Sequence, residues 1–348
     1  MIKFLSYLFL SCAVLAGLLR FSLEFESAQD IAIEQIYRAK MSNAANGLPN
    51  PDSLRVFICG SASPVGVTGR AQACVAIITP THFYIFNSGA GSTSNASRAG
   101  LPLSRLQGIF LTHLHANHIA EIYELNLASW GYESVTALQV YGPKGVRRVV
   151  SGINETYAQD IDYRVARHGG NLLDPKLAKL KAKAFGKRTV LEDGELTITA
   201  LLANQKTASP SISYRIDYRG RSVFISGESQ ADRSAWITSE SVDLMLLDAL
   251  SLPLMKAAQK AATTAGLNWQ AKILANAEQY HASTGSLVGL QKNLNAKMVA
   301  LYHLVPAPEN LIMSKVFERD LSDNFVFARD GAWFELPSEA TSIVHTPK

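Results

Sequence analysis

The chain has 348 residues, 47% of them hydrophobic and 18% charged, with a formal net charge of +4. That apolar content over this length buries one large core or two modest ones and excludes wholesale disorder. The charge is too small to mark the whole surface as a nucleic-acid footprint.

At the N-terminus, Lys3 precedes an uncharged stretch, Phe4 to Leu19, made mostly of Leu, Phe, Ala and Val. This is the positive start and apolar core of an export signal. The stretch is slightly short of the roughly 17 to 25 residues of a spanning helix, but Arg20 can snorkel and Phe21 to Leu23 extend it. No clean small-residue cleavage site follows. Residues 1–23 therefore read as an uncleaved anchor in the inner membrane, with the folded domain facing the periplasm or exterior. A cleaved signal and a soluble, secreted or periplasmic protein is the alternative. Cys12 matches a lipidation signal poorly. Residues 24–53 follow: "IAIEQIYRAKM" predicts a short amphipathic helix and "NAANGLPNPDS" a turn-rich linker.

From residue 54 to 348 the pattern is that of one α/β domain. Strands are expected at "RVFICGS", "CVAIIT", "HFYIFNSG" and "GIFLTH", with a helical stretch before the last. Helix through "IAEIYELNLASW", strand "ALQVYGP" and helical segments over 143–168 come next. A second series runs "LTITALLAN", "SISYRIDYRG", "RSVFISGES", "VDLMLLDAL", a helix, and "MVALYHLVP". "VFARDGAWFEL" closes the chain as an expected hairpin turning at Asp330 and Gly331. Two runs of strands, each followed by helices, predict two sheets packed face to face with helices outside, a four-layer αββα arrangement. The basic run Lys176, Lys179, Lys181, Lys183, Lys187 and Arg188 reads as a solvated face, or else as a contact for an anionic substrate or lipid headgroups. Cys59 and Cys74 fall in adjacent strands. In an oxidising compartment they could bridge; otherwise they are two small buried residues. His82, His168 and His345 have no partners by spacing and read as surface residues.

Chemistry concentrates at strand ends, where α/β folds place their sites: His113, Glu228, Asp248 and His303 each follow a strand. "LTHLHANH" puts His113, His115 and His118 within six residues, the first two pointing the same way and the third brought round as the chain turns into a helix. Such clustering suits zinc, for which neutral imidazole is a preferred ligand.

"THLHANH" resembles the Thr-His-x-His-x-Asp-His motif of the metallo-β-lactamase fold. "ICGSASP", "FNSGAG", "VYGPKGV", "SISYRIDYRGRSVFISGES" and "LYHLVP" are similar, in the same order, to the remaining motifs of its ribonuclease Z-like branch, and closer still to that branch's exported relatives, with secreted arylsulfatases nearby. The resemblance covers about Arg55 to Pro306. It implies a metallo-β-lactamase fold and a hydrolase that uses one or two zinc ions. By it, His113 and His115 would hold the first ion, and His118 and His303 the second. Asn117 stands where the family has an aspartate of the second site, Gln205 where a third first-site histidine belongs, and Glu228 in place of the bridging aspartate. Asn87 replaces an aspartate that steadies a ligand histidine from behind. The remaining metal positions are thus Asn117, Gln205 and Glu228, all altered. His281, in "YHASTG", lies in a region facing the site in that family and is either a general acid or a helix-start residue without contact to substrate. Asp248 falls where relatives carry an acidic residue lining the site.

An amide is a neutral, weak zinc ligand, and Asn117 cannot accept the proton an aspartate would take beside an activated water. The longer Glu228 moves the bridging oxygens by about a bond length against a tolerance of roughly 0.2 Å. Two functions follow. One is an exported hydrolase attacking a phosphodiester or sulfate-type ester, with Asn117, Glu228 and His281 at the reaction centre and weak activity. The other is an inactive pseudoenzyme that binds a small molecule or scaffolds. Transfer RNA does not fit as substrate, because the N-terminal segment predicts export and no basic arm is evident. The sequence leaves the ester and any oligomer open.

Overall fold

The computed structural model describes residues 12, 14, 17, 20–46, 52–66, 69–131, 134–186, 188–202, 211–227, 241–290, 296–319 and 321–347. Gln205 and Glu228, two of the expected metal ligands, lie outside them, as does most of the expected anchor over 1–23. Among the described residues, no helix is long and apolar enough to cross a membrane. The chain divides into two compact units, Met1–Pro49 with Gly100–Pro102, and Asn50–Ala99 with Leu103–Lys348. The first contains a helix over Glu26–Asn46.

The second unit contains two sheets. The strands are β1 (Ser53–Gly60), β2 (Cys74–Ile78), β3 (Phe83–Phe86), β4 (Gly108–Phe110), β5 (Gln139–Gly142), β6 (Lys181–Ala184), β7 (Arg188–Asp193), β8 (Leu196–Leu202), β9 (Ile212–Tyr218), β10 (Arg221–Ile225), β11 (Val242–Leu250), β12 (Ala296–Val305), β13 (Phe325–Phe327), β14 (Trp333–Pro337) and β15 (Val344–Thr346). Among the described residues they form an eight-stranded sheet, β15-β14-β1-β2-β3-β4-β5-β6, and a seven-stranded sheet, β13-β12-β11-β10-β9-β8-β7. One apolar cluster joins the facing sides: Val56, Ile58, Val75, Phe86 and Phe110 from the first sheet meet Ile198, Tyr214, Ile225, Leu246 and Tyr302 from the second. On the outer side of the second sheet, Phe224, Met245, Leu247 and Leu301 pack with Leu287 and Phe317 of the helices Thr284–Leu290 and Leu311–Glu318. The mixed α/β two-sheet architecture expected from the strand pattern is the one observed. β11 is buried at every position because both its faces are covered, which is why it reads as a continuous apolar run.

Two local expectations are corrected. "VFARDGAWFEL" is not a hairpin: β13 pairs parallel with β12 in one sheet, and β14 pairs antiparallel with β1 in the other. The Asp330–Gly331 turn instead crosses between the sheets. The Asp330 carboxylate accepts from Ser61 N, Ser61 Oγ, Ala71 N and Asn95 Nδ2, a set of tertiary bonds that outweighs the local turn signal. Part of the basic run is the strand β6, bonded along one side to β5. Its exposed Lys181 and Lys183 sit on a sheet edge, where lysine discourages pairing with other chains. Finally, His82 and His345 are not free surface residues. His82 is buried and its Nδ1 meets Thr79 Oγ1 at 2.8 Å, while the His345 ring stacks on Phe334. His168 is exposed, as expected. Of the two readings of Cys59 and Cys74, the structure has the disulfide, joining β1 to β2.

Candidate metal centre

The first sheet brings "LTHLHANH" into place through aromatic packing. Phe86, Phe110 and Tyr141 are register partners on β3, β4 and β5, and their rings stack at 4.9 and 4.5 Å. Beyond β4, the Tyr214 hydroxyl of the opposite sheet donates to Leu111 O at 2.7 Å. Burial pushes the Tyr214 phenol well above its usual pKa, so it stays a donor at any physiological pH. The strand end that launches His113 is therefore tied to both sheets.

The loop after β3 then sets the imidazoles. Thr112 N and Thr112 Oγ1 both lie 3.0 Å from Asn87 Oδ1. A backbone N–H can only donate, so the Asn87 atom it meets must be the oxygen, and the Thr112 hydroxyl hydrogen goes to that oxygen too. The hydroxyl lone pair then faces His113 Nδ1 at 3.0 Å and must receive its N–H. This chain of donors puts the His113 hydrogen on Nδ1, the arrangement in which Nε2 is the nitrogen that can ligate a metal. His113 Nε2 lies 3.0 Å from His115 Nδ1, a hydrogen bond in which His115 Nδ1–H donates when the His113 hydrogen is on Nδ1. Asn87 thus retains, through Thr112, the orienting part expected of an aspartate. Its Nδ2 is buried without a hydrogen-bond partner.

Gly89 explains why this loop needs glycine. A Cβ there would stand 2.4 Å from Asn117 O and 2.6 Å from Gln72. The close approach lets Ser88 N donate to His118 O at 2.8 Å. Glu121, just past the short helix Ala116–Ile119, accepts from Gly91 N and Thr93 N and ties the motif back to the loop.

The second sheet contributes Asp248 and His303 through a β-bulge. Asp248 pairs with Tyr302 and Ala249 with Leu304, so His303 is the extra residue. Alternation along β12 shows the effect: Ala300 and Tyr302 face the core between the sheets, and Leu301 and Leu304 face outward. The bulge removes His303 from that alternation, with a left-handed φ of 46°. His281, before the helix Thr284–Leu290, places Nδ1 3.1 Å from Asp248 Oδ2. Asp248, His281 and His303 are buried, and one ligand atom from each lies within 4.8 Å of the others. His118 and His303 rings are 5.1 Å apart, and His113 and His118 rings 3.9 Å. Beside this group is a cavity of ≈ 350 Å³ lined by Leu250, Leu252, Glu278, His281, Ser283 and Ser286.

The structure therefore gathers His113, His115, Asn117, His118, His281 and His303 about one spot, with Asp248. Gln205 and Glu228 lie outside the described residues. The donor types fit a metal ion: within this group Asp248, His281 and His303 each bring one ligand atom within 4.8 Å of the others. Asn117 marks the departure. Its Nδ2 donates to His303 Nε2 at 3.0 Å, so the amide occupies the lone pair that an ion of the second site would use. Sequence reading missed Thr112, although it directly precedes His113, and the bulge, whose signal is the polar His303 amid "VALYHLVP".

A family model described as the beta-lactamase superfamily domain matches residues 85–304, from the Asn87 loop to the end of β12. Over 178 residues the chain is 25% identical to the ribonuclease Z of Mycobacterium marinum, covering 50% of this chain and 63% of that protein. The chain thus spans less than two thirds of that relative's length. Its fold is similar to the metallo-beta-lactamase fold protein YhfI from Bacillus subtilis, with a TM-score of 0.58, 18% identity, and coverage of 82% of this chain and 100% of that one. It is also similar to the short form of human tRNase Z, with a TM-score of 0.56, 17% identity, and coverage of 81% and 99%.

Proposed function

The chain is a member of the beta-lactamase superfamily on its ribonuclease Z-like branch, and from that premise we propose that it is a metal-dependent hydrolase of phosphodiesters or sulfate-type esters, of low activity, working outside the cytoplasm. The observation that carries this reading is the Asn87–Thr112–His113 relay, which puts the His113 N–H on Nδ1 and turns Nε2 toward the His115 ring. When bound there, zinc supplies Lewis acidity at the ester and a nucleophile at neutral pH. His113, His115 and His118 would hold it, and His303 would join them once the Asn117 amide gives up its Nε2, with Gln205, Glu228 and Asn117 as the altered positions.

Proton handling falls to His281. Its Nδ1 faces the Asp248 carboxylate, so Nε2 would take the proton of the attacking water and then pass that same proton to the leaving oxygen. Asp248 holds the ring in that tautomer. Asn117 cannot assist, and this is the reason for the low rate. The Cys59–Cys74 disulfide supports a location in an oxidising compartment, in keeping with the N-terminal apolar segment. That segment would anchor the protein to the inner membrane or be cleaved from a secreted form.

The hydrogen bond from the Asn117 amide to His303 favours a second reading, a non-catalytic binding protein in the same fold. Metal analysis separates the two. The purified chain is stripped with chelator, titrated with zinc, and assayed on bis(p-nitrophenyl) phosphate and p-nitrophenyl sulfate. Zinc uptake with hydrolysis that His281→Gln abolishes supports the hydrolase. No uptake at micromolar zinc, and no thermal shift on adding it, would leave only the second reading.

A further inference from the structure

The helices Leu252–Thr264 and Asn268–Asn276 form a hairpin whose tip carries an apolar and basic face with no role in the site above. On its inner side, Met255, Leu274 and Ala277 pack with Leu250 and Val305. On the other side, Leu267 is 51% exposed, Trp269 82% and Ile273 59%. Trp269 and Ile273 are four residues apart and share one helix face. Lys256, Lys260 and Lys272 are also exposed, and Lys272 Nζ lies 5.8 Å from the centre of the Trp269 ring. From Leu252 to Ala277 there is no aspartate or glutamate. The residues from Thr263 to Gln270 are all exposed.

We propose that this hairpin docks on an anionic lipid surface, with Leu267, Trp269 and Ile273 entering the headgroup boundary and Lys256, Lys260 and Lys272 meeting the lipid phosphates. The arrangement is that of interfacial helices: an amphipathic indole and an aliphatic side chain on one helix face with Lys272 beside the indole, exposed Lys256 and Lys260 four residues apart on the neighbouring helix, and no acidic residue within the hairpin to repel the surface. Charge argues against a second copy as the occupant, because a symmetric contact would bring the lysines against one another. Three large apolar side chains also fall short of the roughly 800 Å² per partner of a stable protein interface. A lipid surface needs no such area, since each basic residue adds its own attraction.

The base of the hairpin gives the docking a consequence. Leu252 at its start and Glu278 just past its end both line the cavity at His281. A docked hairpin would hold that cavity near the membrane surface. The inference rests on surface chemistry alone and holds whether or not the chain hydrolyses an ester.

The test uses the full chain and a readout confined to the hairpin, so that binding through the N-terminal segment does not mimic it. Vesicles of phosphatidylcholine and phosphatidylglycerol, 3:1, carry brominated acyl chains that quench tryptophan at the boundary. The wild type should show a quenched component that Trp269→Phe lacks. Replacing Lys256, Lys260 and Lys272 by Gln should weaken hairpin docking about 100-fold. Pure phosphatidylcholine should give little quenching. Hydrogen exchange over residues 263–276, which needs no substitution, should slow on the anionic vesicles. Equal quenching in the wild type and Trp269→Phe, with unchanged exchange, would overturn the proposal. So would burial of Trp269 that follows protein concentration without lipid, since the occupant would then be a second copy.

Discussion

Asn87 offers the sharpest test of how the site is held. It is fully buried, with φ at 63°, and its Oδ1 accepts both Thr112 N–H and the Thr112 hydroxyl at 3.0 Å. Asn87→Gly keeps the left-handed backbone and removes both bonds. The Thr112 amide is then an unsatisfied buried donor at about 1–3 kcal/mol, and the lost hydroxyl bond adds about 1 kcal/mol. Removing the unpartnered Nδ2 returns roughly 1 kcal/mol, so the net loss is about 1–3 kcal/mol. Asn87→Ala should cost about 1 kcal/mol more, the strain of Cβ in the left-handed region. The Thr112 hydrogen becomes free to turn toward His113 Nδ1. The ring can then present its N–H at Nε2, and zinc affinity should fall by about 10- to 100-fold. Asn87→Asp keeps both bonds and should raise zinc affinity while destabilising the metal-free protein, because a buried charge then lacks its counter-ion. Urea unfolding and zinc titration of the three variants provide the measurements. If Asn87→Gly unfolds within 0.5 kcal/mol of wild type and binds zinc equally well, the relay account is wrong.

Other outcomes follow from single contacts. Gly89→Ala places a Cβ 2.4 Å from Asn117 O, so backbone must move; a loss of roughly 2–4 kcal/mol together with weaker zinc binding is expected, and an unperturbed melting curve would contradict it. Reducing Cys59–Cys74 opens a link of sequence separation 15, and the double Ser variant should lose about 3 kcal/mol in denaturant titration. Burial and then the Asp52 hydrogen bond push the Tyr218 phenol up to about 12, against about 10 in the unfolded chain. A raised pKa means stability fully present below pH 10 and lost as pH rises from 10 to 12. Alkaline unfolding of Tyr218→Phe should show a shallower decline over that window than wild type.

The two-sheet α/β fold was legible because its signals are strong and local: buried strands read as apolar runs, and the motifs kept their order along the chain. β6 was hidden because "KAKA" is an edge strand with only one bonded neighbour, so no apolar period marks it. The false hairpin at Asp330 shows the opposite failure. A good local turn signal was overridden by four donors, on Ser61, Ala71 and Asn95, distant in sequence. At the site, the imidazoles could be named from the motif, but what they do to one another could not. The Asn87–Thr112–His113 relay and the Asn117–His303 bond depend on which atom faces which, over separations of 25 and 186 residues. A sequence names residue types, and tautomers are set by donors that meet only on folding.

The energetics of His303 bear on which reading of the site is right. A residue with a side chain at φ 46° carries strain of order 1–3 kcal/mol, and the bulge that aims it leaves β12 one residue out of register with β11. Around it, His113, His118, His281 and Asp248 are withdrawn from water, where apolar residues of similar volume would be less costly. A protein that only needed the fold would gain stability by straightening β12 and filling this space with Leu or Val. The arrangement makes physical sense if the imidazoles gain something on binding that offsets the strain, and a divalent ion is a ligand to which converging imidazole nitrogens are suited. His303→Leu tests this by separating the two contributions. In the metal-free protein it should raise stability or leave it unchanged, whereas the stabilisation by added zinc should shrink sharply. Loss of stability in the metal-free state, with the zinc response intact, would mean that His303 serves the fold and not the ion.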